Sequence, residues 1–109
     1  MNKKGNKDQQ AQGDVLLQYI SKLPEGCKEV PRIDGRIVVM HGEGGHTHVI
    51  TDVDAMFHEK DGKFYLEVTA PVALVHEEHH TQIVEPGIWE IGQVREYDYF
   101  QEMERTVRD

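Results

Sequence analysis

Short apolar runs separated by turn residues recur along most of the chain. Many of the runs alternate with period two or are rich in β-branched residues, and Asp61-Gly62 and Pro86-Gly87 have the composition of tight turns between them. Trp89 and Ile91 share one face of the last run and are expected in the core. The predicted strands cover residues 15–20, 36–40, 46–51, 55–59, 63–69, 72–77, 81–85 and 88–94. About eight short strands at this spacing predict an all-β fold, a small jelly-roll barrel or sandwich.

The two ends of the chain depart from the strand pattern. Residues 1–13 have one aliphatic side chain after the first methionine, so we expect a flexible N-terminal arm, followed by a single domain over residues 14–109. An apolar repeat at helical spacing and a capping box predict a short C-terminal helix that packs on the barrel. These two signals are made by Phe100, Met103, Val107, Asp98 and Gln101.

Charge and composition exclude several classes of function. The 109 residues suffice for one domain, and 12 Lys and Arg against 20 Asp and Glu give a formal net charge of −8. Nucleic acids and anionic membranes are therefore poor partners, because both bind clustered positive charge. The single cysteine, Cys27, excludes an intrachain disulfide. Because no apolar run is long enough to span a membrane, the chain is expected to be cytoplasmic. The expected partners are a second copy of the chain, in a homo-oligomer, and a small-molecule substrate of unknown identity.

The first candidate site is the sequence His46-Thr47-His48. All seven histidines lie in the segment from His41 to His80. His46 and His48 are separated by one residue on a predicted strand. Side chains two residues apart share a strand face, so both imidazoles can point at one ion. Gly44-Gly45 leaves the approach uncrowded, and imidazole suits zinc, copper, iron or nickel.

The second candidate site is the sequence His76-Glu77-Glu78-His79-His80, at the end of the strand that begins at Val72. Alternation places His76 on the face of Val72 and Leu74, and a turn would bring His79 towards it. The predicted metal ligands are His46, His48, His76 and His79. The expected cofactor is a divalent transition metal: Zn, Fe, Ni or Mn.

A metal at this site could support catalysis as a Lewis acid or as the source of hydroxide, with Glu78 or Glu43 as the base. Other interpretations stay open. Residues 76–80 would also suit a solvated polar turn, and grouped histidines would suit a pH-responsive interface. His41 and His58 are interpreted as structural or surface residues.

The chain distantly resembles the cupin superfamily. Gly42, His46 and His48 are similar to the first cupin motif, which has a glycine followed by two histidines one residue apart. The chain departs from the family because no glutamate follows His48 at the family's spacing, and Pro86-Gly87 lacks the residue between the proline and glycine of the second motif. The resemblance implies a cupin-like barrel.

A stronger resemblance covers most of the chain and is to a small uncharacterised family of bacterial and phage or prophage genomes. Its motifs read here as QGDVLL, GHxH, HEEH, PG and REYD, at residues 12–17, 45–48, 76–79, 86–87 and 95–98. The resemblance implies a phage or mobile-element origin, and its motif histidines match the four predicted ligands. The alternative function is a phage or prophage accessory or structural protein, virion-associated, whose histidines are structural or lie at an oligomer interface.

Overall fold

The computed structural model describes residues 8–41 and 47–93, and these residues form an all-β structure. The predicted all-β class is confirmed, and the described residues contain ten strands where the sequence predicted about eight for the chain. The strands are β1 Gln9–Gln12, β2 Val15–Ile20, β3 Lys28–Glu29, β4 Ile37–His41, β5 Thr47–Ile50, β6 Ala55–Lys60, β7 Lys63–Val68, β8 Val72–Leu74, β9 Gln82–Val84 and β10 Gly87–Gln93.

Six strands form one antiparallel sheet in the order β1-β2-β10-β7-β6-β3, while β4 pairs with β5 and β8 pairs with β9. Two main-chain hydrogen bonds of 2.9 Å, one in each direction between Val49 and Val75, join β5 to the residue that follows β8. The described strands thus form three sheets, two of which are joined by this bridge. Within the described residues, the strands do not close a hydrogen-bonded barrel.

One hydrophobic core receives side chains from all three sheets. On β10, Trp89 and Ile91 are buried, and Ile91 lies opposite Leu17 of β2. Ile50 of β5 and Leu74 of β8 reach the same core from the two small sheets. Buried side chains from strands of all three sheets form this core, and the core position predicted for Trp89 is confirmed.

The predicted turn at Asp61-Gly62 is also confirmed. Both residues have positive φ, 51° and 81°, and Lys60 pairs with Lys63 across them. A two-residue turn of this kind needs the left-handed conformation twice, which aspartate tolerates and glycine adopts freely. The turn thereby sets the register of β6 against β7.

The structure differs from the sequence prediction at residues 9–12, which were assigned to the flexible arm but form strand β1. The strand pairs with β2, and its Gln12 is only 2% exposed. Gln10 extends from the same strand and donates a 3.0 Å hydrogen bond from Nε2 to the main-chain oxygen of Ile83, in β9. The strand is held by main-chain pairing and by glutamine amides, neither of which requires apolar side chains. The prediction of a flexible arm rested on the lack of apolar side chains and was wrong for these residues. The wider division into an arm and one domain stays a prediction.

Strand β8 also ends earlier than predicted, at Leu74, and the chain bends over residues 77–79. The predicted C-terminal helix lies in residues 94–109, outside the described residues. Within residues 8–41 and 47–93, no helix is long and apolar enough to cross a membrane.

Candidate functional site

His48 lies on β5 with its side chain fully buried, at 0% exposure. The alternation along this strand places His48 and Ile50 on the core face. Both ring nitrogens of His48 have polar neighbours: Nδ1 lies 2.8 Å from Gln12 Oε1, and Nε2 lies 3.3 Å from Asp14 Oδ1. The polar contact with Gln12 helps an imidazole to lie in the apolar core.

Gln12 connects His48 to the loop that carries His76, His79 and His80. Its Nε2 donates 2.8 Å hydrogen bonds to the main-chain oxygens of Leu74 and His80. These two acceptors lie on either side of the bend at residues 77–79. One buried amide therefore ties both ends of this loop to β1 and to His48.

The bend brings His76 and His79 against His48. Ring centroids are 4.4 Å apart for His48 and His76, and 4.5 Å apart for His76 and His79. The rings of His48 and His79 are nearly parallel, at 9°, with centroids 6.3 Å apart. Three imidazoles from two separate segments thus form a row that runs from the core, through the buried His76, to the exposed His79.

Gly13 lies beside the outer histidine. Its φ is +58°, and a Cβ added at this position would come within 2.5 Å of His79 Nε2. Any other residue would strain the backbone and collide with the imidazole. Gly13 therefore lets His79 lie against the backbone between Gln12 and Asp14.

Burial lowers the pKa of His48, and the positive charges that His76 and His79 would carry when protonated lower it further. Asp14 opposes this effect, but the net pKa of His48 stays below its ordinary value. The neutral imidazole, which is the form that binds metals, is therefore favoured.

The Asp14 carboxyl is about one third exposed, with a relative side-chain exposure of 33%. Burial raises its pKa, but hydrogen bonds from Gln93 and from its own backbone N–H, together with His48 when protonated, outweigh burial. The net pKa of Asp14 is below its ordinary value, so this carboxyl is ionised at neutral pH. The site therefore pairs a neutral buried imidazole with a negative charge.

The predicted site residues divide into two groups. The structure brings His48, His76 and His79 together, and the main-chain N–H of Glu78 donates a 3.0 Å hydrogen bond to His76 Nδ1. His46 and Glu43 lie outside the described residues. Within the described ranges, no group of three or more His, Cys, Asp or Glu side chains is arranged to hold a metal ion as it stands.

Gln12 and Asp14 belong to this cluster but were not predicted to be site residues. Both occur in the QGDVLL motif, which carried the family resemblance and no assigned chemistry. A glycine between two polar residues just before a buried strand was the available signal. It did not show that both side chains turn towards His48, which lies 36 residues from Gln12 and 34 from Asp14.

His58 lies apart from the cluster, on β6 of the large sheet. It is 7% exposed, and its Nε2 lies 3.1 Å from Glu67 Oε1 on the neighbouring strand β7. It is a second buried histidine with a carboxylate partner and no other imidazole among its described ring contacts. His58 therefore serves as a matched control for the cluster.

Comparison with known proteins gives one match. No curated protein and no solved structure matches the chain. The profile of a family described as "Domain of unknown function (DUF8820)" matches residues 11–94. This range begins next to Gln12 and spans Asp14 and the three clustered histidines, so the matched region contains the whole described site. The chain therefore belongs to the DUF8820 family.

Proposed function

We propose that this protein binds a divalent transition metal ion (Zn, Fe, Ni or Mn) at the cluster of His48, His76 and His79. The observation that carries the proposal is the row of three imidazoles contributed by β5 and by the bend after β8. Neutral imidazole is the commonest side-chain ligand for these metals. His46, two residues before His48, is the fourth proposed ligand.

We expect the side chains to converge on the ion only when it binds. In the described residues the three imidazoles do not converge on one point: the rings of His48 and His79 are nearly parallel, and the ring of His76 is tilted against both. His48 is buried and its Nδ1 lies 2.8 Å from Gln12 Oε1, whereas His79 is exposed. A rotation of the His79 ring is therefore the smallest change that turns a nitrogen towards an ion beside His48.

The proposal extends to metal-assisted catalysis on a cupin-like scaffold. If three of the four proposed histidines bind the ion, they leave an open coordination position for water or substrate. Glu78 or Glu43 would then accept a proton from the bound water. Glu78 has the closer support, because its main chain already contacts His76.

The test is the metal content of protein purified without a histidine tag, measured by elemental analysis, followed by titration of the metal-free protein with zinc. We expect one ion per chain, and we expect His48→Ala and His79→Ala each to weaken zinc binding by at least about tenfold. His58→Ala removes a buried histidine elsewhere and is expected to leave zinc affinity unchanged. Wild-type protein that contains no metal and binds no zinc would contradict the proposal.

The second candidate function is that of an accessory or structural protein of phage or prophage, in which the histidines stabilise the fold or an oligomer interface. The hydrogen bond between His48 Nδ1 and Gln12 Oε1 favours it, because this bond forms without any ion. This function predicts a stable oligomer without metal, and losses of stability in the histidine variants that add independently. Sedimentation and denaturation of the same variants distinguish the two functions.

A further inference from the structure

The orientation of the Gln12 amide is fixed by its two main-chain acceptors. Its Nε2 lies 2.8 Å from the carbonyl oxygens of both Leu74 and His80. Carbonyl oxygens only accept hydrogen bonds, so the atom facing them must be the NH2 group, and it uses both of its hydrogens there. The remaining amide atom, Oε1, is therefore the one that faces His48.

This orientation determines which nitrogen of His48 carries the proton. Gln12 Oε1 lies 2.8 Å from His48 Nδ1 and only accepts, so Nδ1 is the donor. A neutral imidazole has one N–H, and its second nitrogen carries a lone pair. The lone pair of His48 is thus on Nε2, the nitrogen that faces Asp14.

Two acceptors then face each other at the edge of the core. His48 Nε2 and Asp14 Oδ1 are 3.3 Å apart, and the imidazole is fully buried. A lone pair directed at a carboxylate is repulsive unless a proton or a cation lies between them. The separation is long for a charge-assisted hydrogen bond, which measures roughly 2.7–2.9 Å. It equals the distance of about 3.3 Å between two ligands at tetrahedral angles and bond lengths of about 2.0–2.1 Å on one zinc ion.

We propose that His48 Nε2 and Asp14 Oδ1 are two ligands of the same divalent cation, and that Gln12 is the positioning residue that holds His48 in the tautomer able to bind it. Metal-bound histidines commonly donate their other N–H to an oxygen, and Gln12 Oε1 is that oxygen here. The inference rests on the proposed function and adds a carboxylate to a ligand set that was composed of histidines. A nitrogen and a hard carboxylate oxygen favour zinc, iron or manganese over copper(I).

His79 and His76 differ in what they offer such an ion. His79 Nε2 lies against Gly13, the residue that precedes Asp14. His76 Nδ1 accepts the N–H of Glu78, so the neutral ring carries its own proton on Nε2. His79 is therefore the third ligand that needs the smaller rearrangement.

The first experiment measures the tautomer of His48 in metal-free wild-type protein, by 15N NMR of the imidazole. We expect the proton on Nδ1 and a lone pair on Nε2, and we expect Gln12→Leu to lose this preference. A proton on Nε2, or on both nitrogens at neutral pH, overturns the assignment, since His48 would then donate to Asp14 as in an ordinary ion pair. The wild-type measurement decides the question even if Gln12→Leu fails to fold.

The second experiment titrates zinc into metal-free Asp14→Asn. This substitution keeps the shape of the side chain and removes its charge, and we expect zinc affinity to fall by at least about tenfold. Asp54→Asn changes an exposed carboxylate outside the cluster and is expected to bind zinc as wild type does. Full affinity in Asp14→Asn overturns the role of Asp14 while wild-type binding still supports the proposed function. Failure of wild-type protein to bind zinc overturns both.

Discussion

At the scale of single residues, the main feature is a polar network inside an apolar core. His48 is fully buried, yet Gln12 and Asp14 provide neighbours for both of its ring nitrogens. Buried polar groups are tolerated when they have hydrogen-bond partners, as Nδ1 of His48 has in Gln12, and each group left without one costs about 1–3 kcal/mol. Small changes around His48 should therefore have larger effects on stability than their size suggests.

Gly13→Ala tests the close approach of the backbone to His79. The new methyl group would strain a residue at φ +58° and lie 2.5 Å from His79 Nε2. We expect a loss of about 1–2 kcal/mol from the backbone conformation, plus about 0.5–1.5 kcal/mol from forcing the exposed His79 ring out of its rotamer. Chemical denaturation measures the sum.

Gly35→Ala is the matched control, because Gly35 also has positive φ, +77°, but no atom within 4 Å of an added Cβ. It should show only the backbone part of the loss. The double variant Gly13→Ala/His79→Ala should return to the level of Gly35→Ala. Equal losses in the two single alanine variants would mean that His79 does not occupy the place described.

At the scale of elements, β1 shows how a strand without an apolar pattern is held. Four residues of β1 pair with β2, and the side chains of Gln10 and Gln12 extend to β9 and to the loop after β8. Strand β1 is an edge strand, and its glutamines connect the large sheet to the β8-β9 pair through amide hydrogen bonds. Removing the strand would therefore weaken contacts in two sheets.

Deletion of residues 1–12 is expected to destabilise the protein by at least about 3 kcal/mol, because the carbonyl oxygens of Leu74 and His80 and Nδ1 of His48 each lose a partner worth about 1–3 kcal/mol. Deletion of residues 1–7 keeps β1 and is expected to change stability by less than about 0.5 kcal/mol. Urea unfolding of both variants measures the difference. Equal stability of the two deletions would show that β1 contributes nothing to the fold.

At the scale of the whole molecule, separate sheets depend on one core. Ile50, Leu74, Leu66 and Trp89 come from different strands of the three sheets and belong to the same buried cluster. If one sheet separates from the core, the apolar side chains of the other two sheets also become exposed to water and lose hydrophobic stabilisation. We therefore expect the described structure to unfold as one cooperative unit.

Leu74→Ala in β8 is expected to cost about 2–5 kcal/mol, since it removes buried methyl groups from the core. The same loss of unfolding free energy should be measured by far-ultraviolet circular dichroism and by the fluorescence of Trp89. Trp89 is the only tryptophan in the sequence and lies in the six-stranded sheet, not in the β8-β9 pair. Val75→Ala alters the neighbouring side chain, which is 45% exposed, and should cost less than about 1 kcal/mol. Transitions that differ between the two probes would mean that the sheets unfold separately.

The sequence by itself determined the features that depend on local pattern. Short runs of β-forming residues bounded by turn residues identified most of the strands that build the core, such as 15–20 and 63–69, because both signals are local. Asp61-Gly62 identified its turn, because few residue pairs adopt positive φ twice. Grouped histidines identified three members of the cluster, because that residue type is scarce elsewhere in the chain.

Only the tertiary structure decided which polar residues meet those histidines. Gln12 contacts residues that are 36, 62 and 68 positions away, and Asp14 contacts His48 across 34 positions. Such contacts depend on how β1, β5 and the bend after β8 are packed together, and no local periodicity records that packing. The same reason explains β1 itself, whose four residues are held by partners distant in sequence and not by a pattern of their own.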